Sequence, residues 1–288
     1  VHLSNLPRLS NFIFNNMYKF LINRINRCLN VPRNIYISYL SELENLSDNK
    51  KYMSEDYKVK DFYVASSYKS YLPYGNYFDL ASIDALKFNL YHGARLIDLD
   101  IMNKTFTSCT EPVVCNGIEI GNYQLTTNIS FDKVMDTLST YSFNKYLRNN
   151  KDPLFINLNF KTWYNKDTIN KCAKIIKKHF QNKLLDNNYA FQGKYSGYKL
   201  LNSSIKTIID KVIFMSNNDL SNTDMDEIIN LGTKGACSVK YMNFDEIKNT
   251  YDENEIKNFN KSNSTLVYPN TLTRVTENVN YLIPKYMG

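Results

Sequence analysis

The chain has 288 residues, enough for one large domain or two small ones, and its formal charge of +7 is carried by lysines scattered singly among asparagines. That pattern argues against a nucleic-acid surface. Five cysteines, Cys28, Cys109, Cys115, Cys172 and Cys237, have no regular spacing and an odd count, which favours free thiols in a reduced, intracellular setting. No signal peptide and no stretch of membrane-spanning length is visible. Because the chain opens at Val1, processing or a longer parent polypeptide is expected.

In chain order, Phe14, Met17, Tyr18, Leu21, Ile25, Cys28 and Leu29 follow the three-four spacing of a helix with one apolar face. Lys19, Arg24 and Arg27 fall mostly opposite, so residues 10–29 either lie on an anionic membrane or pack on their own domain. Residues 41–58 are polar, a solvated connection or short helix. A strand is predicted over residues 59–66, a helix over 79–91 and a buried strand over 94–101. Further strands are predicted at 112–115, 154–160, 211–215, 238–242 and 264–268. Helices are predicted at 131–141, with Ser130 as N-cap, and at 167–180.

Strand and helix alternate as in a parallel sheet covered by helices. Seven such strands without a glycine-rich phosphate fingerprint point to a closed barrel of the TIM, (β/α)8 type rather than an open sheet. Residues 1–57 then form an N-terminal helical extension and 58–288 the barrel.

Within the strand at 94–101, Asp98 and Asp100 stand at i, i+2 and project to one face, with Leu99 on the other. Two buried carboxylates side by side require something positive between them, whether a metal ion, a lysine or an arginine.

In a parallel barrel, chemistry gathers where strands end. Four ends are read together here: Ser66-Ser-Tyr-Lys-Ser-Tyr-Leu72, Asp98-Leu-Asp100, Val113-Val-Cys-Asn-Gly117 and Asn157-Leu-Asn159. In order and spacing they resemble the phosphatidylinositol-specific phospholipase C family, whose X half reads Ser-Ser-His-Asn-Thr-Tyr-Leu, Glu-Leu-Asp, Val-Val-Tyr-His-Gly and Leu-Glu-Asn. Ile129-Ser-Phe-Asp-Lys-Val134 resembles the family's Ile-Ser-Phe-Lys-Asp-Val. The resemblance extends over residues 58–288 and is especially close to versions carried by large DNA viruses, through Ser70 to Tyr74 and Val113 to Cys115.

The resemblance implies a barrel rim that cleaves a phosphodiester with two histidines and a calcium ion held by asparagine, glutamate, aspartate and glutamate. This chain departs from that pattern where the chemistry lies. Tyr68 and Asn116 stand at the histidine positions, and Lys69 and Asn159 at two of the calcium positions, leaving Asp98 and Asp100. Tyrosine, with a reference pKa of about 10, and asparagine exchange protons poorly at neutral pH. Each lost acid-base group costs about 10² to 10⁴ in rate. His92 precedes its strand, His179 lies on an outer helix and His2 stands at the start of the chain, so none replaces them. The family's headgroup lysines fall at Met215 and Asn217, and Arg274 and Tyr281 echo its late loop.

Lys69 is expected to place its ammonium where calcium would lie, leaving no metal and no cofactor. The expected function is a catalytically impaired phospholipase-C-like module, structural or interactive, in a larger assembly of protein chains such as a virion. The alternatives are a hydrolase of inositol phospholipids with a modified mechanism, or a phospholipid-binding module touching membrane through residues 10–29. Tyr281 to Gly288 resembles the segment before the family's eighth strand, so this chain is expected to lack the last strand of the barrel, and either the natural polypeptide continues or a neighbouring chain fills the gap.

Overall fold

A computed structural model describes residues 57–73, 80–106, 108–190, 196–233, 239–243, 246–247 and 252–268. The expected helix at 10–29, the cysteines Cys28 and Cys237, His2, Arg274, Tyr281 and the C-terminal segment lie outside them. The chain divides into Val1–Leu43 and Glu44–Gly288, and every described residue belongs to the second unit.

The central sheet is built on β2 (Leu96–Asn103), a run buried along its whole length. On one side β2 pairs in parallel with β7 (Leu154–Phe160), which continues in parallel to β8 (Val212–Ser216) and β9 (Ile229–Gly232). Its other edge is shared. The first half pairs in parallel with β1 (Ser66–Ser67), and the second half pairs antiparallel with β3 (Pro112–Val114), which pairs in turn with β6 (Ile129–Ser130). A small hairpin joins β4 (Gly117–Ile118) to β5 (Tyr123–Gln124), and a separate parallel pair joins β10 (Val239–Asn243) to β11 (Ser264–Tyr268).

Three expectations need correction. The described strands, expected to run parallel throughout, form one mixed seven-stranded sheet, with β3 antiparallel to β2, and two small sheets. The direction of β3 follows from its connection: residues 104–111 are too few for a crossover helix, so the chain turns back antiparallel. Over residues 59–66 only Ser66, the first residue of β1, is in a strand, because Val59–Asp61 makes a 3-10 turn closed by Lys58 N donating to Asp61 Oδ2 at 2.8 Å. The third correction is β9, which was not foreseen.

Side-chain alternation along these strands explains both the core and the site. On β2, Ile97, Leu99 and Ile101 face one way, and on β7, Ile156, Leu158 and Phe160 do the same. They pack against α1 (Ile83–Tyr91), α2 (Phe131–Ser142) and α3 (Lys166–Phe180) through Leu86, Leu90, Met135, Leu138, Cys172 and Ile176. Each helix starts on a polar cap: Ser82 Oγ accepts from Asp84 N, Ser130 Oγ from Lys133 N, and the Asn165 side chain from Thr168 N. Two shorter helices, α4 (Ser196–Leu201) and α5 (Glu253–Asn260), follow.

The opposite face begins apolar, with Leu96, Phe155, Ile213 and Met215 clustered with Val59 and Leu231. Toward the carboxyl ends of β2 and β7 that same face turns polar, through Asp98, Asp100, Asn157 and Asn159. Cys109, Cys115 and Cys172 are free thiols. Among the described residues no helix is long and apolar enough to cross a membrane.

Candidate active-site rim

Parallel register sets Asp98 of β2 beside Asn157 of β7 and Asp100 beside Asn159. Both aspartates are almost fully buried. Burial of charge is tolerated only with close hydrogen-bonding partners, and each carboxylate oxygen has them. Asp98 Oδ1 accepts from Asn157 Nδ2 at 2.6 Å and Asn159 Nδ2 at 2.9 Å, while its Oδ2 accepts from the Lys69 backbone N at 3.1 Å. Asp100 Oδ1 accepts from Asn159 Nδ2 at 3.2 Å. Its Oδ2 meets the Lys69 ammonium at 3.2 Å, the Lys161 ammonium at 2.9 Å and the Tyr71 hydroxyl at 3.1 Å.

The turn after β1 delivers Lys69. Its backbone is left-handed, φ 43°, and the turn is held by Leu72 N donating to Lys69 O and Ser70 N donating to Asp98 O. Lys69 is buried, and its Nζ also donates to Asn116 Oδ1 at 2.5 Å. Asn116, just past β3, is held by its own N donating to Thr126 Oγ1 and by Leu125 N donating to its carbonyl. Lys161 extends from the end of β7 and donates also to Gly117 O at 3.2 Å. Tyr241 of β10 closes the cluster by donating to Asn157 Oδ1 at 2.7 Å.

Burial, reinforced by Asp100, pushes the Asp98 carboxyl up to about 6. Burial alone would raise Asp100 as well, but the ammonium groups of Lys161 and Lys69 overcome it and hold that carboxyl below its ordinary value. Burial pulls the Lys69 amine down, with Asp100 opposing. Burial and the neighbouring Asp100 push the Cys115 thiol up to about 12, so it is inert as a nucleophile.

The structure therefore brings together Lys69, Asp98, Asp100, Asn116 and Asn159. Tyr68 stands beside them, more than a third exposed, with its ring stacked on Tyr268 at a centroid distance of 6.2 Å. Met215 is a buried core residue paired in register with Asn157 and offers no polar contact. Asn217 touches the network nowhere; its carbonyl accepts from Thr233 Oγ1, while the adjacent Asn218 bridges to the Phe160 backbone. His92 caps α1, its Nδ1 bonded to Phe88 O, and His179 bonds Asp132 across two helices; both are structural. The sequence reading missed Lys161 and Tyr241, and gave no role to Tyr71 and Asn157 although both stand within its strand-end motifs. Asn157 shares a face with Asn159 at i, i+2, a signal that was available.

A calcium ion does not fit these residues. It needs six to eight oxygen ligands with free lone pairs. Here every carboxylate oxygen already accepts a protein donor, and two ammonium groups lie on Asp100. Among the described residues no three His, Cys, Asp or Glu side chains gather as a metal site.

A polar network at the carboxyl ends of parallel strands, over an apolar inner face and under a coat of helices, is the design of α/β enzymes of the barrel type. Residues 56–211, more than half of the chain, match the family described as Phosphatidylinositol-specific phospholipase C, X domain. The chain belongs to that family. No curated protein matches it. Among solved structures it is similar to L. pealei PLC21 and S. officinalis PLC21, each at 14% identity and a TM-score of 0.59, over 81% of this chain and 33% of theirs. It is also similar to a calcium-dependent phosphoinositol-specific phospholipase C from the Gram-negative bacterium Pseudomonas sp, at 9% identity and a TM-score of 0.49, over 82% of this chain and 90% of that one. The chain spans about a third of the length of the two PLC21 proteins, and at these identities the likeness is one of fold.

Proposed function

We propose that this domain is a catalytically impaired member of its family, kept as a structural or interaction module in a larger assembly, with the particle of a large DNA virus as its setting. One observation carries the reading: the Lys69 ammonium is bonded to both Asp100 and Asn116. Asn116 and Tyr68 occupy the positions where the family resemblance calls for proton-transferring histidines. An amide cannot take or give a proton at neutral pH, and Asn116 is further engaged as an acceptor. The rim thus holds charges that satisfy one another instead of groups poised to meet a phosphodiester.

Loss of two acid-base groups removes most of the catalytic advantage, since each contributes about 10² to 10⁴ in rate. A module freed of catalysis retains what the fold still offers, a rigid scaffold with exposed loops for partners. The test pairs two measurements on the full chain: hydrolysis of phosphatidylinositol vesicles, and fractionation of the native source by size. The reading expects no turnover and recovery in a stoichiometric assembly. Turnover that Asp100→Ala abolishes would overturn it.

A further inference from the structure

We infer that Lys69 and Lys161 together form an internal dication that takes the place of a divalent metal ion at Asp98 and Asp100. The charges match in number: both ammonium groups sit on Asp100, while Asp98 beside it is held by neutral amide donors, so two buried carboxylates and two ammonium groups sum to zero without any ion. The geometry matches as well. Both ammonium groups converge on one oxygen, Asp100 Oδ2, from opposite segments of the rim, one from the turn after β1 and the other from the end of β7. Each then anchors to a neutral oxygen beyond the acid, Lys69 on Asn116 Oδ1 and Lys161 on Gly117 O. The two anchors are consecutive residues, so the pair bridges the ends of β1, β2, β3 and β7 much as a single ion with several oxygen ligands would.

Neither lysine suffices by itself. One ammonium leaves the pair of acids with a net negative charge, which burial penalises. Lys161 is the less buried of the two, its side chain about a quarter exposed against under a tenth for Lys69, so it is the half of the dication that solvent reaches. This inference deepens the reading above by assigning Lys161 a role, and it concerns ion binding and not hydrolysis, so the two stand or fall on different measurements.

The experiment is calorimetric titration of calcium chloride into the intact chain, the Lys69→Asn and Lys161→Met variants, and the double variant, each checked for folding by circular dichroism. Asparagine at position 69 tolerates the left-handed backbone there. The expected result is no binding by the unsubstituted chain at millimolar calcium, and binding by the double variant at least about tenfold tighter than by either single variant, because ligand charge count sets such affinities. Binding by the unsubstituted chain, a Lys69→Asn variant that binds as tightly as the double, or a folded double variant that does not bind would each overturn the inference. Should the double variant not fold, nitrogen-15 NMR of the lysine side chains in the unsubstituted chain decides. Both Nζ groups are expected as slowly exchanging ammonium signals, and exchange at Lys161 as fast as at exposed Lys174 would refute its place in the pair.

Discussion

Lys161 Nζ lies 2.9 Å from Asp100 Oδ2 although the two residues are 61 positions apart in sequence. The contact exists because β2 and β7 run parallel in register, so the end of one brings its lysine over the acid of the other. Asp100 thereby carries two cations and a tyrosine hydroxyl on a single oxygen.

Removing that acid should be severe. Asp100→Ala leaves two ammonium groups and the Tyr71 hydroxyl without their shared acceptor, and breaking a buried charge pair from one side costs about 3 to 5 kcal/mol. Urea unfolding of the variant should show a loss of that size. The surface pair of Lys171 and Glu111, 2.9 Å apart but largely exposed, gives the contrast: Glu111→Ala should cost at most about 1 kcal/mol.

The pH dependence follows from the two aspartates. Asp98 has its folded pKa raised from 3.8 to about 6, so between those values the folded chain binds a proton that the unfolded chain does not. Its contribution to stability therefore grows as pH falls through about 6, with a slope of at most about 1.4 kcal/mol per pH unit. Asp100 is shifted the other way, so its contribution persists above the ordinary carboxylate range and disappears only as pH falls through its lowered value. Melting temperature should therefore hold or rise from pH 7 to pH 5 and drop below about pH 4. In Asp98→Asn the slope between pH 7 and pH 5 should flatten, leaving the share of Asp226, whose carboxyl burial also raises.

Close approach at the rim supplies a third test. A Cβ added at Gly117 would collide with the Met102 sulfur and with the Tyr123 carbonyl, and the latter is backbone that cannot swing aside. Gly117→Ala should destabilise by about 1 to 3 kcal/mol and weaken the hold of the Gly117 carbonyl on Lys161. Urea unfolding reads the first effect, and faster exchange of the Lys161 ammonium protons reads the second.

Much of this architecture was legible in the residues themselves. The strand at 154–160 and the helix from Phe131 capped by Ser130 appear where apolar period and cap residue place them. Asp98 and Asp100 share a face because a strand alternates. Residues 59–65 misled because aromatic and β-branched residues suit a strand, yet the neighbouring strand reaches back only as far as Ser66. With no ladder to join, Tyr57, Val59, Phe62 and Val64 instead pack over the apolar end of the inner face. Ile229–Gly232 is short and interrupted by Asn230, whose side chain accepts from Phe214 N, so its strand character depends on β8 beside it. Lys161 was invisible for a related reason: a lysine after a strand reads as solvated until the register of the neighbouring strand sets an aspartate beneath it.

A rim that keeps its fold without its chemistry, as proposed, should be silent toward inositol lipids. The most direct test is the release of inositol phosphate from phosphatidylinositol vesicles by the purified chain, with and without millimolar calcium. The account predicts no release above the protein-free control in either condition. Turnover of about 1 per second or faster, the ordinary range for enzymes, that is lost in Asp100→Ala would contradict it.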